Sequence, residues 1–191
     1  MTSYHLCYIK IRFFYPPRDI QFAGYTPMSR ITLRNRLIGC DEPDRGQYDQ
    51  ARPTSAILGA ALMVSRVAVE KAGLMPECYF LYYEEIDWCE RIRKAGFELW
   101  YEPAVTVYHK GSVATGGRKG PIRTYFQARN RFLFAKRNIP GSIRWITYLY
   151  LLLIANPKES LSHLRQKNHL LISVQWRGVL DFFLNKKPLY P

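Results

Sequence analysis

The sequence predicts a mixed α/β fold whose helices gather toward the C-terminus. Three observations carry that expectation. Short runs rich in Ile, Val, Tyr and Phe alternate with helical patterns between residues 6 and 109. From residue 122 onward the patterns are helical almost throughout. The 191 residues, with 48% hydrophobic content, suffice for one domain with a sizeable core.

Residues 6–14 are β-branched and aromatic and read as a strand, stopped by Pro16 and Pro17. Residues 20–23 read as a short strand ended by Gly24. Residues 25–53 carry Gly39, Pro43, Gly46 and Pro53 and read as a loop, and a loop that long in a compact domain is usually functional. Residues 55–64 form a continuous apolar run, the pattern of a strand buried on both faces. Ser65 starts a helix through Lys71, which Gly73 ends.

Residues 84–95 read as a helix with Trp88, Ile92 and Ala95 on one face, and Arg93, Lys94 and Gly96 punctuate its end. Two strands follow, 97–101 and 105–109, separated by Pro103. Residues 111–121 are glycine-rich and basic. A helix over 122–138 is cut off by Pro140 and Gly141, and further helices are expected over 143–155 and 157–186, with a break near Gly178. The expected division is a domain over 1–138 and a helical extension over 139–191.

Cys7, Cys40, Cys78 and Cys89 are scattered and form no C-x-x-C pair, which argues against a zinc site or disulfide scaffold and suits a reducing compartment. The opening residues lack the long apolar stretch of a signal peptide. The net charge of +13 fits nucleic acid, an anionic membrane or a phosphate-bearing substrate. No helix-turn-helix, RNA-recognition or zinc-finger pattern supports nucleic acid. The charge concentrates at Arg118, Lys119, Arg123, Arg129, Arg131, Lys136, Arg137 and Arg144, just before the apolar run WITYLYLLLI at 145–154. That run is shorter than the ~20 residues needed to span a bilayer. It reads equally as a helix docked on a membrane surface or as a buried core helix.

Chemistry concentrates in residues 80–110, FLYYEEIDWCERIRKAGFELWYEPAVTVYHK. Glu84, Glu85 and Asp87 stand where a helix begins. Like charges this close raise one another's pKa unless a cation, a metal or the helix N-terminus offsets them, which suits a carboxylate base. His109 ends the second strand and can lean into the same cleft. The plainer reading is a solvated helix whose first-turn acids complement its dipole, with Asp87–Arg91 and Glu90–Lys94 spaced as i,i+4 pairs, and an ordinary surface or core histidine.

The ordered motifs GQYD (46–49), GAALMVSR (59–66), AGLMPE (72–77), YFLYYEEIDWCERIRKAGF (79–97), YEPAVTVYHK (101–110) and YFQARNRFLFAKRN (125–138) resemble the second half of a family-2 inverting glycosyltransferase of GT-A fold. The resemblance covers roughly residues 18–138. It implies a partial GT-A, Rossmann-like sheet with C-terminal helices. It implies a nucleotide-sugar donor and a saccharide or lipid-linked acceptor in cell-surface polysaccharide synthesis. By the same resemblance Glu85 is the base, where the family usually has Asp; Glu84 orients its neighbours; Asp87 caps the helix or pairs with Arg91. Gly59, Ala60, Arg118, Lys119, Arg123 and Arg129 are implied in donor or acceptor binding.

His109 matches a family histidine that can ligate a divalent metal, Mn2+ or Mg2+, on the donor diphosphate, the other ligands coming from a D-x-D pair and phosphate oxygens. The chain contains no D-x-D; Asp41–Asp44 and Glu85–Asp87 have the wrong spacing or place. The chain is therefore expected to be a C-terminal portion, inactive without its nucleotide-binding half; the basic cluster beside residues 145–154 adds the expectation of a cytoplasmic protein, peripheral at the inner membrane face. The alternative is a non-catalytic remnant that binds a membrane or a partner.

Overall fold

The computed structural model describes residues 6–111 and 120–188. It confirms a mixed α/β fold with helices at the C-terminus. The described residues fall into two compact units, one formed by 6–28, 35–76 and 85–111, the other by 29–34, 77–84 and 120–188.

The first unit holds a mixed five-stranded sheet. Its centre is β1 (Leu6–Phe13), flanked on one edge by the parallel strand β5 (Leu99–His109). The other edge of β1 is divided between β2 (Ile20–Phe22) at Ile11 and Arg12, and β4 (Leu62–Val64) at Leu6–Tyr8, both antiparallel. The two-residue strand β3 (Arg52–Pro53) pairs with β5. Parallel strands need a crossover. Here it contains α1 (Arg66–Ala72) and α2 (Glu84–Lys94). Tyr8, Ile11, Phe22, Ile57, Trp88, Ile92, Leu99 and Tyr101 fill the core, with the Tyr8 ring edge-on to Phe22 at 4.4 Å.

Capping matches the sequence closely at α1. Ser65 accepts from the Ala68 amide at 3.2 Å, and Gly73 closes the helix at φ 76°. Two other expectations are corrected. Residues 55–64 do not form one doubly buried strand: only Leu62–Val64 pairs, Gly59 and Ala60 are exposed, and Met63 faces outward. With β2 on the same edge of β1, room remains for a three-residue ladder. Pro103 does not separate two strands. β5 runs through it as a bulge, Glu102 pairing with Ile9 and Thr106 with Lys10, so that residues 103–105 are set aside from the ladder and the missing proline N–H is not needed.

The long loop is pinned down. Lys10, almost fully buried on β1, bonds Asp44 at 3.2 Å and also Asp49, and Arg12 approaches Asp44 at 3.7 Å. The Tyr101 hydroxyl donates to the Tyr48 carbonyl at 3.0 Å.

The second unit holds α3 (Pro121–Asn138), α4 (Gly141–Tyr150), a π-helical turn (Leu151–Ala155), α5 (Asn156–Arg165) and α6 (His169–Phe183). Phe132 of α3 gathers the rings of Tyr148, Phe182 and Phe183 within 5.5 Å. The π turn is supported by polar groups: Asn156 Nδ2 donates to the Leu151 carbonyl, and Gln175 Nε2 donates to the Asn156 carbonyl at 3.0 Å. The break in the last helix lies at residues 166–168, where Asn168 caps α6, and not at Gly178. Gly178 serves close packing instead: a Cβ there would lie 2.5 Å from the Tyr125 carbonyl oxygen of α3.

Candidate functional site

The acidic helix α2 is preceded by a strained run. Phe80, Tyr82 and Tyr83 all have left-handed backbones, with φ of 65°, 63° and 77°. Such conformations cost about 1–2 kcal/mol each in a non-glycine residue and persist where surrounding contacts over-determine them. Here α3 supplies the contacts. The fully buried amide of Asn130 donates to the carbonyls of Tyr79, Leu81 and Tyr82 at 3.1, 2.8 and 2.9 Å. Arg129 Nη1 donates to Asn130 Oδ1 at 2.7 Å, which fixes the amide's orientation, and to the Cys78 carbonyl at 3.3 Å. Arg131 Nε donates to the Tyr83 hydroxyl at 3.2 Å. The rings of Phe126 and Phe134 pack on Phe80 and Tyr83. Arg123 lies over the Tyr82 ring, 5.4 Å from its centroid.

The chain then enters Glu84 and Glu85, both half-buried, and Asp87, which is fully buried. The body of α2 is fixed to the end of α1. Trp88 Nε1 donates to the Gly73 carbonyl at 2.7 Å, and Arg91 donates to the carbonyls of Leu74, at 2.8 Å, and Ala72. These bonds satisfy acceptors that a helix end leaves orphaned. Arg91 is thus engaged with backbone, and Glu90 pairs with Arg93. A burial of 1% relative exposure places Asp87 inside the unit, not on the solvated face expected from its i,i+4 spacing.

The segment 56–59 runs beside α2. Ala56 and Ile57 are buried in the same core as Trp88, Cys89 and Ile92. Burial pushes the Cys89 thiol up to about 12, so it stays protonated and inert at neutral pH. One helical turn earlier the Glu85 carboxylate faces Gly59, where a Cβ would lie 3.9 Å from Oε1. Gly59 and Ala60 are exposed, so this carboxylate stands next to open backbone. A half-buried carboxylate beside the exposed, side-chain-free Gly59 can take a proton from a hydroxyl approaching over that glycine.

His109 ends β5, and its Nδ1 lies 3.0 Å from Gln21 Oε1. Among the described residues no three His, Cys, Asp or Glu side chains are grouped as metal ligands, so these residues do not by themselves fit a metal centre. Asp44 is engaged with Lys10 and Arg12. Arg118 and Lys119 lie outside the described residues.

The structure thus brings Glu85 and Gly59 together in one unit, and Arg123 and Arg129 around the 78–83 run in the other. Sequence reasoning passed over Asn130. Its signal was available: Phe126, Asn130 and Phe134 share one helical face, and a polar residue in an apolar stripe must find buried partners.

No family model matches the chain. Among curated proteins it is 29% identical over 113 residues to the low-salt glycan biosynthesis hexosyltransferase Agl10 of Haloferax volcanii, covering 59% of this chain and 37% of that protein. It is 29% identical over 140 residues to the dTDP-rhamnosyl transferase RfbF of Shigella flexneri, covering 66% and 47%. A third similarity, 37% over 65 residues, is to an N-acetylglucosaminyl-diphospho-decaprenol L-rhamnosyltransferase of Mycobacterium tuberculosis, covering 34% and 21%. The chain spans less than half the length of these relatives. All three are glycosyltransferases, and the likeness supports glycosyl transfer as the general chemistry.

Proposed function

We propose that this chain supplies the acceptor-activating part of an inverting glycosyltransferase, with Glu85 as the general base. Glu85 takes the proton of an acceptor hydroxyl as its oxygen bonds to the anomeric carbon of a nucleotide sugar. The bond from that carbon to the diphosphate breaks on the opposite side, and the nucleoside diphosphate leaves with the electron pair. The observation that carries this reading is the Glu85 carboxylate beside the open backbone of Gly59. The strained, tightly bonded run before α2 supports it, since strain of this kind collects at sites where geometry matters.

The donor class is a nucleotide sugar, and the name of the RfbF relative makes a dTDP-linked deoxyhexose the first to try. The acceptor is a saccharide or a lipid-linked saccharide, as the name of the mycobacterial relative suggests, in cell-surface polysaccharide synthesis on the cytoplasmic side. His109, half-buried at the end of β5, is the proposed imidazole ligand for Mn2+ or Mg2+ on the donor diphosphate; the proton transfer is the carboxylate's own chemistry.

The test is replacement. In RfbF the matched segment is replaced by residues 20–138 of this chain, and transfer from dTDP-rhamnose by the hybrid is followed by product mass. Product above background supports the reading. A folded hybrid that binds donor yet makes no product supports a non-catalytic binding module instead.

A further inference from the structure

The helical run from α4 through the π turn into α5 has two apolar faces. One is accounted for: Thr147, Tyr148, Leu151 and Ala155 are buried within the second unit. The other is not. Trp145, Ile146, Leu149, Leu153 and Ile154 are each more than half exposed, and Leu161 and Leu164 continue the exposed apolar surface along α5. Soluble proteins rarely leave a contiguous patch of this kind uncovered without a use for it.

The charge around the patch limits what covers it. Residues 121–188 contain twelve Lys and Arg against two acids, Glu159 and Asp181. Both acids are already paired, Glu159 with Arg131 at 3.7 Å and Asp181 with Arg177 at 3.0 Å. Lys158 and Arg165 are exposed on α5, and Lys136 and Arg137 are exposed at the end of α3. An apolar face that carries the exposed cations Lys158 and Arg165 among its leucines complements a surface that is apolar below and anionic above. Among the described residues no helix is long and apolar enough to cross a membrane. We infer that α4, the π turn and α5 lie in the plane of an anionic lipid bilayer, with Trp145, Leu149 and Leu153 inserted among the acyl chains and Lys158 and Arg165 at the headgroups. Exposure and charge carry this docking surface independently of the sugar chemistry proposed above, and it stands or falls separately.

Co-sedimentation of the full chain with phosphatidylcholine vesicles, with and without phosphatidylglycerol, tests it. Binding is expected to phosphatidylglycerol vesicles at low salt and to weaken at high salt, because screening shortens the reach of the cations. Leu149→Ser combined with Leu153→Ser is expected to lower vesicle affinity by at least ~10-fold, since burial of each leucine is lost. Lys158→Glu should lower it by roughly 30-fold on anionic vesicles, two units of charge being changed, and leave binding to neutral vesicles unaltered. All three positions are exposed, so the urea midpoint should stay unchanged and report that the fold is intact. Recovery in the supernatant under every condition overturns the inference. So does vesicle binding that the leucine variants leave intact, or self-association of the chain that the same variants abolish, which would assign the face to a second copy.

Discussion

Replacing Asn130 by Leu removes the amide while keeping similar volume at a fully buried position. The two N–H hydrogens of Asn130 serve three carbonyls, those of Tyr79, Leu81 and Tyr82. An unsatisfied buried acceptor costs about 1–3 kcal/mol, so losing two donors sets a ceiling of about 6 kcal/mol. Relaxation of the left-handed residues returns part of that, at ~1–2 kcal/mol for each of Phe80, Tyr82 and Tyr83. A net destabilisation of about 1–3 kcal/mol follows, a large share of the roughly 5–15 kcal/mol typical of a domain. Urea unfolding followed by tyrosine and tryptophan fluorescence measures the loss. Hydrogen exchange at residues 79–84 locates it, since these amides should lose protection before those of the sheet. A change below about 0.5 kcal/mol, the range of an ordinary surface substitution, would refute the idea that Asn130 holds the strained run.

Two further perturbations probe the packing of each unit. Gly178→Ala puts a methyl 2.5 Å from the Tyr125 carbonyl oxygen, so α6 must shift from α3; thermal unfolding should show a loss of roughly 1–3 kcal/mol, whereas a gain from better helix propensity would mean the approach is looser than described. At Asp44 burial pushes the carboxyl up, but the Gly46 amide and the Lys10 and Arg12 cations outweigh it and hold the group below the ordinary carboxylate range. A depressed folded-state pKa contributes stability that is complete above about pH 4 and lost as pH falls through the folded value. Lys10→Met should therefore destabilise the protein at pH 7 by roughly 3 kcal/mol, with the gap to wild type narrowing in acid; a constant gap from pH 7 to pH 3 would show that Asp44 takes no part.

Much of the fold is written locally. Ser65 and Gly73 bracket α1, and Arg93, Lys94 and Gly96 end α2, because caps and charge–dipole complementarity act within one turn. Residues 55–64 are less legible because an apolar run does not say how many neighbours a strand has, and β1 had already given half of that edge to β2. Pro103 and Gly178 misled in opposite ways. Each is a local breaker whose effect is decided by a distant partner, Ile9 and Lys10 for the bulge and the Tyr125 carbonyl for the close helix approach. The acidic pair and its histidine were legible as motifs. The bonding of the 79–83 run was not, since Asn130 reaches carbonyls 48–51 residues away and nothing in its neighbours names them.

The central claim is that Glu85 removes the acceptor proton. Glu85→Gln keeps the shape and the Gly59 neighbour and removes only the acceptor of the proton. Its effect on turnover in the replacement hybrid, with donor affinity measured alongside, tests the claim most directly. The account predicts a fall in kcat of about 10²–10⁴ with donor binding unchanged. Turnover within a few-fold of the parent hybrid would contradict it.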